Sequence, residues 1–178
     1  MTPAGHILSD RRLTDGCNII EVAGHGNAER VAEDQAAELA LLRIFGAPDL
    51  AAAALVHDGA KGPDLTLVGI SDPQAQGGGN AVSTMAARLN GDMVLPAPPA
   101  GFDGAAAIDP QGRLFGMVEL KDGTVASAGS AASPGSASVV PVATLRKFLD
   151  AHSVTPATGR TGADAAKAAL VRVICVRR

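Results

Sequence analysis

Two acidic residues of this 178-residue chain stand where a carboxylate could take part in chemistry. Glu38 begins the apolar segment 38–44, and Asp103 lies in the Gly-Phe-Asp-Gly turn 101–104 ahead of a short apolar segment. A pair of carboxylates on either side of one bond is the arrangement by which glycosidases hydrolyse sugars. Sugar-binding clefts are normally lined with aromatic side chains, and this chain has only 2% aromatic residues, with no Trp and no Tyr. Glycoside hydrolysis is therefore a poor interpretation of the pair.

The elements that must position these residues are predicted to be short strands. Apolar segments recur about every ten residues between Gly, Pro, Asp and Asn, which is typical of a β-sandwich or barrel. The 21 Gly and 11 Pro agree with many turns. Segment 38–44 fits either a strand or a helix by its periodicity. The other candidate strands are residues 5–9, 18–22, 28–33, 65–70, 81–89, 93–95, 105–108, 113–118 and 137–142.

The end of the chain predicts two helices and a last strand. Thr144 is a candidate N-cap for a helix that ends near Leu149, because apolar residues recur there at helical spacing. Asp164 is a candidate N-cap for residues 165–170, and residues 171–176 alternate like a strand. A Thr-, Pro- and Gly-rich linker separates the two helices.

Composition excludes several function classes. The formal net charge is −3 and aromatic stacking surface is almost absent, so we expect no nucleic-acid binding. No apolar run reaches the roughly 18 residues of a membrane span. We expect no metal and no cofactor. Residues 1–5 lack the apolar core of a signal peptide, which leaves either a cytoplasmic protein or a piece cut from a longer precursor.

The chain has two cysteines, Cys17 and Cys175. Two cysteines are too few for a disulfide framework or for a zinc site. We interpret them as buried thiols, and a single disulfide is the alternative.

The Asp103 turn begins a longer segment that resembles the nucleophile loop of trypsin-like serine proteases. Residues 101–116, GFDGAAAIDPQGRLFG, follow the family's order of a Gly-x-Ser-Gly-Gly-Pro turn, an apolar strand, a turn and a strand ending in Gly. Asp103 stands at the serine position. The family's oxyanion hole is formed by two backbone N–H groups, whose counterparts are those of Gly101 and Asp103.

Further segments extend the resemblance over about residues 5–150. GHILSDRRLTDGC, residues 5–17, is similar to the segment that carries the family's histidine, and Arg12 occupies the histidine position. ELALLR is similar to the segment whose aspartate orients that histidine, and Glu38 occupies the aspartate position. Residues 139–142 and the helix after them resemble the end of the second barrel in the HtrA/Deg-like branch.

The resemblance implies an all-β fold of two antiparallel six-stranded barrels, the first over roughly residues 1–60 and the second over roughly 61–150. The family carries two strands ahead of the segment matched at residue 5, so we expect the first barrel to be incomplete. Residues 151–178 would form a linker, a short helix and a strand that returns to the edge of the first barrel. Pairing of this strand with another molecule would instead give a strand-swapped homodimer.

All three catalytic positions differ from the family. The pKa of arginine is too high for a general base, and an aspartate has neither a hydroxyl nor a thiol to act as the nucleophile. We expect an ion-paired triad in which Arg12 lies between Glu38 and Asp103. A carboxylate beside the oxyanion hole would also repel a developing oxyanion.

The resemblance therefore implies a pseudoprotease that serves as a binding or scaffolding module. Its ligand would be a protein or an extended peptide in the former substrate groove between the barrels. Two alternatives stay open: a serine-type endopeptidase with unrecognised catalytic residues, and a regulatory accessory domain of a larger protein. The family also suggests a periplasmic or other extracytoplasmic location.

Overall fold

A computed structural model describes residues 2, 4–46, 50–55, 62–71, 82–121, 135–156, 158 and 160–177. The strands of these ranges are β1 His6–Asp10, β2 Ile19–Val22, β3 Gly26–Asp34, β4 Leu39–Arg43, β5 Asp64–Ile70, β6 Val82–Asn90, β7 Met93–Leu95, β8 Ala106–Ile108, β9 Leu114–Lys121, β10 Ser136–Pro141 and β11 Val173–Val176. The α-helices are α1 Val142–Ala151 and α2 Ala163–Ala169, and two short 3-10 turns span Arg11–Leu13 and Ala100–Phe102.

The strands form one open sheet and one closed barrel. The open sheet has five antiparallel strands in the order β1-β4-β3-β2-β11. The barrel has six strands in the order β10-β7-β6-β5-β8-β9. The predicted all-β fold, with an incomplete first barrel and a complete second one, is confirmed.

Segment 38–44, which fitted a helix or a strand, forms strand β4. All four residues from Leu39 to Leu42 are almost fully buried, because both faces of this strand meet a core. Ala40 and Leu42 pack inside the five-stranded sheet, whereas Leu39 and Leu41 pack against the barrel and α1. A strand buried on both faces is a continuous apolar run, so its sequence loses the alternation that normally marks a strand.

The C-terminal helices begin at other residues than the sequence suggested. Helix α1 follows Pro141 directly and has no side-chain cap, so Thr144 lies inside its first turn. Asp164 also lies in a first turn, that of α2, whose N-cap is Gly162. An acidic side chain in the first turn interacts favourably with the positive end of the helix dipole. Within the part of the chain that the structure describes, no helix is long and apolar enough to cross a membrane.

The C-terminal strand returns to the open sheet, as predicted. β11 pairs antiparallel with β2 of the same chain, with Val173 opposite Val22 and Val176 opposite Ile19. This register brings Cys175 to the segment before β2, where a disulfide joins it to Cys17 across a Cα–Cα distance of 5.3 Å. The interpretation of the cysteines as buried thiols is wrong: both are half-buried and they are bonded to each other.

Candidate functional site

Arg12 is positioned by the residue that ends β1. Asp10 closes this strand, is completely buried and acts as the N-cap of the Arg11–Leu13 turn. Its Oδ1 atom accepts a hydrogen bond of 2.8 Å from the backbone N–H of Arg12. Aspartate is favoured at such positions because its short side chain can bond the backbone two residues ahead.

The guanidinium of Arg12 is bound on two sides. Its Nε and Nη2 atoms donate to the two carboxylate oxygens of Asp10, at 3.1 and 2.8 Å. Nη2 also donates to the backbone carbonyl of Leu120 in β9 and lies 3.7 Å from Asp103 Oδ1. The hydrogen bond with Asp10 raises the pKa of Arg12 above its ordinary value, although burial alone would lower it. Arg12 therefore remains a cation that holds the open sheet against the barrel.

Asp103 is held by the turn that the sequence singled out. Phe102 is 1% exposed and packs on Gly69, where a Cβ atom would collide with its ring. On the other side Gly104 takes a φ of +78°, which favours glycine, and donates its N–H to a carbonyl of β9 at 2.9 Å. Between these anchors Asp103 Oδ1 accepts the backbone N–H of Leu120 at 3.0 Å.

The carboxyl group of Asp103 has an unusual proton affinity. Burial raises its pKa, the Leu120 N–H lowers it, the carboxylate of Asp10 raises it and Arg12 lowers it, with a net pKa of about 6. The site thus has two neighbouring carboxyl groups and one guanidinium. Because Arg12 is already paired with Asp10, it only partly offsets the burial of Asp103.

Glu38 lies outside this cluster, which corrects the expected triad. Among the described residues its ion pair is with Arg11, whose Nε atom is 3.0 Å from Glu38 Oε2, and not with Arg12. The reason lies in the strand ladder: the Arg11 N–H donates to the Glu38 carbonyl at 2.9 Å, so these two residues face each other. The Asp10 cap turns Arg12 towards the barrel instead.

One of the two backbone donors expected at an oxyanion hole, the N–H of Asp103, is turned inward. The Asp103 N–H donates to the Ala100 carbonyl at 3.3 Å, and the Phe102 N–H donates to the Pro99 carbonyl at 2.9 Å. These bonds form the 3-10 turn Ala100–Phe102. Gly101 lies half-buried within it. In this conformation the Asp103 N–H has an internal acceptor instead of pointing at a substrate oxygen.

Sequence reasoning missed Asp10, the principal partner of Arg12. One local signal was available, because an aspartate two residues ahead of an arginine at a strand end can cap a turn and pair with that arginine. The contribution of Leu120 had no such signal, since it comes from backbone atoms 108 residues away from Arg12.

The geometry can be compared with known proteins. A serine endoprotease from Yersinia pestis has a similar structure, with a TM-score of 0.60 and 19% identity, over 85% of this chain and 54% of that one. An HtrA-type protease, AlgW, with a tripeptide has a TM-score of 0.57 and 20% identity, over 85% of this chain and 53% of that one. The chain thus spans about half the length of each of these proteases. No protein-family model and no curated protein matches the chain.

This likeness identifies the fold as the trypsin-like double barrel that HtrA-type serine proteases have. At about one-fifth identity it establishes the fold alone, and fold does not imply function.

Proposed function

We propose that this chain is a catalytically inactive homologue of trypsin-like serine proteases that acts as a binding module. The observation that carries the proposal is the bonding of Arg12. The side chain at the histidine position makes a two-pronged ion pair with buried Asp10 and a further bond to the Leu120 carbonyl. Its guanidinium is thereby committed to structure, and it cannot accept a proton near neutral pH.

Asp103 supports the same proposal. A carboxylate cannot stand in for a serine alkoxide in the family's mechanism, and this carboxylate is bound to the Leu120 N–H. The N–H of Asp103 is also occupied by the Ala100 carbonyl. The Arg12 guanidinium, the Asp103 carboxylate and the Asp103 N–H therefore each have another role.

The test of inactivity is incubation with fluorescent casein and with a fluorophosphonate probe, between pH 5 and 8. The expected result is no cleavage and no labelling above a heat-denatured sample, while an active trypsin-like protease reacts under the same conditions. Cleavage that disappears in both the Arg12→Gln and the Asp103→Asn variants would overturn the proposal. Cleavage that persists unchanged in both variants after repurification would indicate other catalytic residues, as the serine-type endopeptidase alternative requires, and would also overturn the proposal.

The binding role is supported by an open strand edge. On the side of β1 that faces β4, the Gly5 carbonyl accepts the Ile44 N–H, and the Arg11 N–H donates to the Glu38 carbonyl. In an antiparallel ladder alternate residues face opposite sides, so Leu8 directs its N–H and C=O away from β4. β1 is an edge of the five-stranded sheet, and an extended protein segment can add to such an edge by main-chain hydrogen bonds.

A displayed library of ten-residue peptides, selected on the immobilised protein, tests this mode of binding. Affinity of the selected peptides should fall at least tenfold in Leu8→Pro, which removes the outward N–H, because main-chain bonds supply the affinity. Leu8→Ala is the matched control, since it keeps that N–H. Equal affinity for both variants would contradict strand addition at β1.

A further inference from the structure

An apolar cavity of about 220 Å³ lies between the open sheet and the barrel. One wall is formed by β1, and the others by the 100–106 segment of the barrel, by α1 and by the C-terminal segment from α2 to the start of β11. Aliphatic side chains dominate this lining, among them Leu8, Leu13, Ile70, Leu149 and Leu170. Among the lining residues that the structure describes there is no Phe, Tyr or Trp, so the contact offered is mainly aliphatic.

The size of the cavity sets the size of the ligand. If one methylene takes about as much space as one water in the liquid, about 30 Å³, the cavity holds roughly seven such groups. A hydrocarbon chain of about seven carbons, as in octanoate apart from its carboxylate carbon, matches this volume. Apolar pockets that enclose hydrocarbon and carry a few polar groups are the usual form of a small-molecule site.

Within the described part of the chain, the charged or titratable residues that line the cavity are His6, Asp103 and Arg172. His6 is engaged by Thr2 Oγ1 at 3.0 Å, and burial together with the charge of Arg43 lowers the pKa of its ring, so it is neutral near pH 7. Asp103 is engaged by the Leu120 N–H. Neither is available to recognise a charged ligand.

Arg172 differs from both. It is half-buried, and its backbone is fixed because its carbonyl accepts the Ala23 N–H at 3.0 Å. Among the residues that the structure describes, its guanidinium has no carboxylate within ion-pair distance and no hydrogen-bond acceptor. An arginine that lines an apolar cavity without such a partner is complementary to a carboxylate at the end of a hydrocarbon chain.

We propose that this cavity binds a medium-chain fatty acid, with its hydrocarbon chain among the aliphatic lining and its carboxylate on Arg172. This site differs in chemistry from the strand edge of β1 proposed to bind a peptide, although the two share Leu8. It also gives the C-terminal segment a role in binding, because this segment contributes both Arg172 and part of the apolar wall.

Titration calorimetry with sodium octanoate at pH 7.5 tests the proposal on the full chain. We expect saturable one-to-one binding that weakens about tenfold or more in Arg172→Gln, the cost of losing a charge-assisted pair. Lys167→Gln is the matched control: it removes a positive charge from the exposed face of α2, outside the lining, and should leave the affinity unchanged. Octan-1-ol should bind as weakly to the wild type as octanoate does to Arg172→Gln.

Chain length gives a second readout that needs no variant. Each added methylene should strengthen binding about fourfold from hexanoate to octanoate, and the gain should stop once the cavity is full. Octanoate should also shift the methyl NMR signals of Leu13 and Leu149 and not that of Leu95, which lies outside the lining. Absence of saturable octanoate binding would overturn the proposal. Equal binding of octanoate by the wild type, Arg172→Gln and Lys167→Gln would overturn the role of Arg172, and with it the fatty acid as ligand.

Discussion

At the scale of single residues, Asp10 and Arg12 form an ion pair in which Asp10 is buried and Arg12 is partly exposed. Asp10 has no exposed side-chain surface, whereas Arg12 keeps 30% of its own. Replacing one partner of a buried pair costs far more than the pair itself contributes, since the remaining charge loses both water and its partner. The pair is thus a sensitive point for stability although it performs no chemistry.

Asp10→Ala should accordingly lower the free energy of unfolding by about 3 kcal/mol. It removes the helix cap as well as the partner of Arg12. Urea denaturation followed by circular dichroism measures the change. Asp64→Ala is the matched control, because its pair with Arg88 is about two-thirds exposed on both sides and should change stability by less than about 1 kcal/mol. Equal effects of the two variants would mean that Asp10 is solvated in solution.

In contrast to the Asp10–Arg12 pair, the ionised carboxylate of Asp103 lowers the stability of the fold, because burial disfavours its charge. Its pKa rises from 3.8 to about 6, so between these values the folded protein binds more protons than the unfolded one. Stability therefore falls as pH rises through this window. Asp103→Asn keeps an acceptor for Leu120 and has no charge, so at pH 7 to 8 it should be about 1–2 kcal/mol more stable than the wild type, after allowance for solvent screening. The difference should vanish near pH 4.

Asp109 is a control, because its pKa is shifted in the opposite direction from that of Asp103. Burial alone would raise its pKa, but hydrogen bonds from the Arg113 backbone and side chain and from the Gln111 backbone lower it below 3.8. Its stabilisation is present above that value and is lost as pH falls through the folded pKa. Asp109→Asn should thus be destabilised at pH 7, with a penalty that shrinks in acid. Melting temperatures of both variants and of the wild type, measured from pH 3 to 8, test these opposite pH dependences. If the curves of Asp103→Asn and of the wild type run parallel, the pKa of Asp103 is not raised.

At the scale of elements, β11 completes one side of a sheet that the first forty-odd residues begin. It pairs with β2, and the Cys17–Cys175 disulfide fixes the two segments together. The bond joins residues 158 positions apart, so it removes much of the freedom of the unfolded chain.

The Cys17→Ser/Cys175→Ser double variant should therefore be less stable by about 3 kcal/mol in guanidinium denaturation. Dithiothreitol should bring the wild type to the same stability and leave the double variant unaffected. A wild type that is insensitive to the reductant and equal to the variant would mean that the two thiols are not bonded in solution.

Elements were easier to predict from the sequence than their contacts. Short strands between turn residues follow from local composition, and the C-terminal strand follows from alternation in a segment only a few residues long. The predicted start of α1 at Thr144 was wrong, because the helix begins directly after Pro141, the last residue of β10, and has no side-chain cap. The contact of Arg12 with Asp103 could be predicted from the sequence, whereas its bonds to Asp10 and to the Leu120 carbonyl were not, since Leu120 lies 108 residues away along the chain.

At the scale of the whole molecule, the open sheet and the barrel meet in a shared apolar cluster. Leu39 and Leu41 of β4 pack in one cluster with Met117 of β9 and with Leu145 and Phe148 of α1. A core that belongs to two parts of a structure couples their unfolding, because neither part can open without exposing the apolar surface of the other. The division near residue 60 predicted from the sequence would then separate two architectural halves that unfold as one unit.

Leu41→Ala tests this coupling. Leu41 is 1% exposed, so the truncation should cost about 3 kcal/mol in lost burial and cavity formation. The decisive readout is hydrogen exchange in increasing urea: peptides from β2 in the sheet and from β6 in the barrel should lose protection at one urea concentration, and the variant should shift both to the same lower value. Leu95→Ala, at a residue 42% exposed, should shift neither by more than about 0.5 kcal/mol. Loss of protection in β2 alone would mean that the sheet unfolds independently and that the shared cluster does not hold the two halves together.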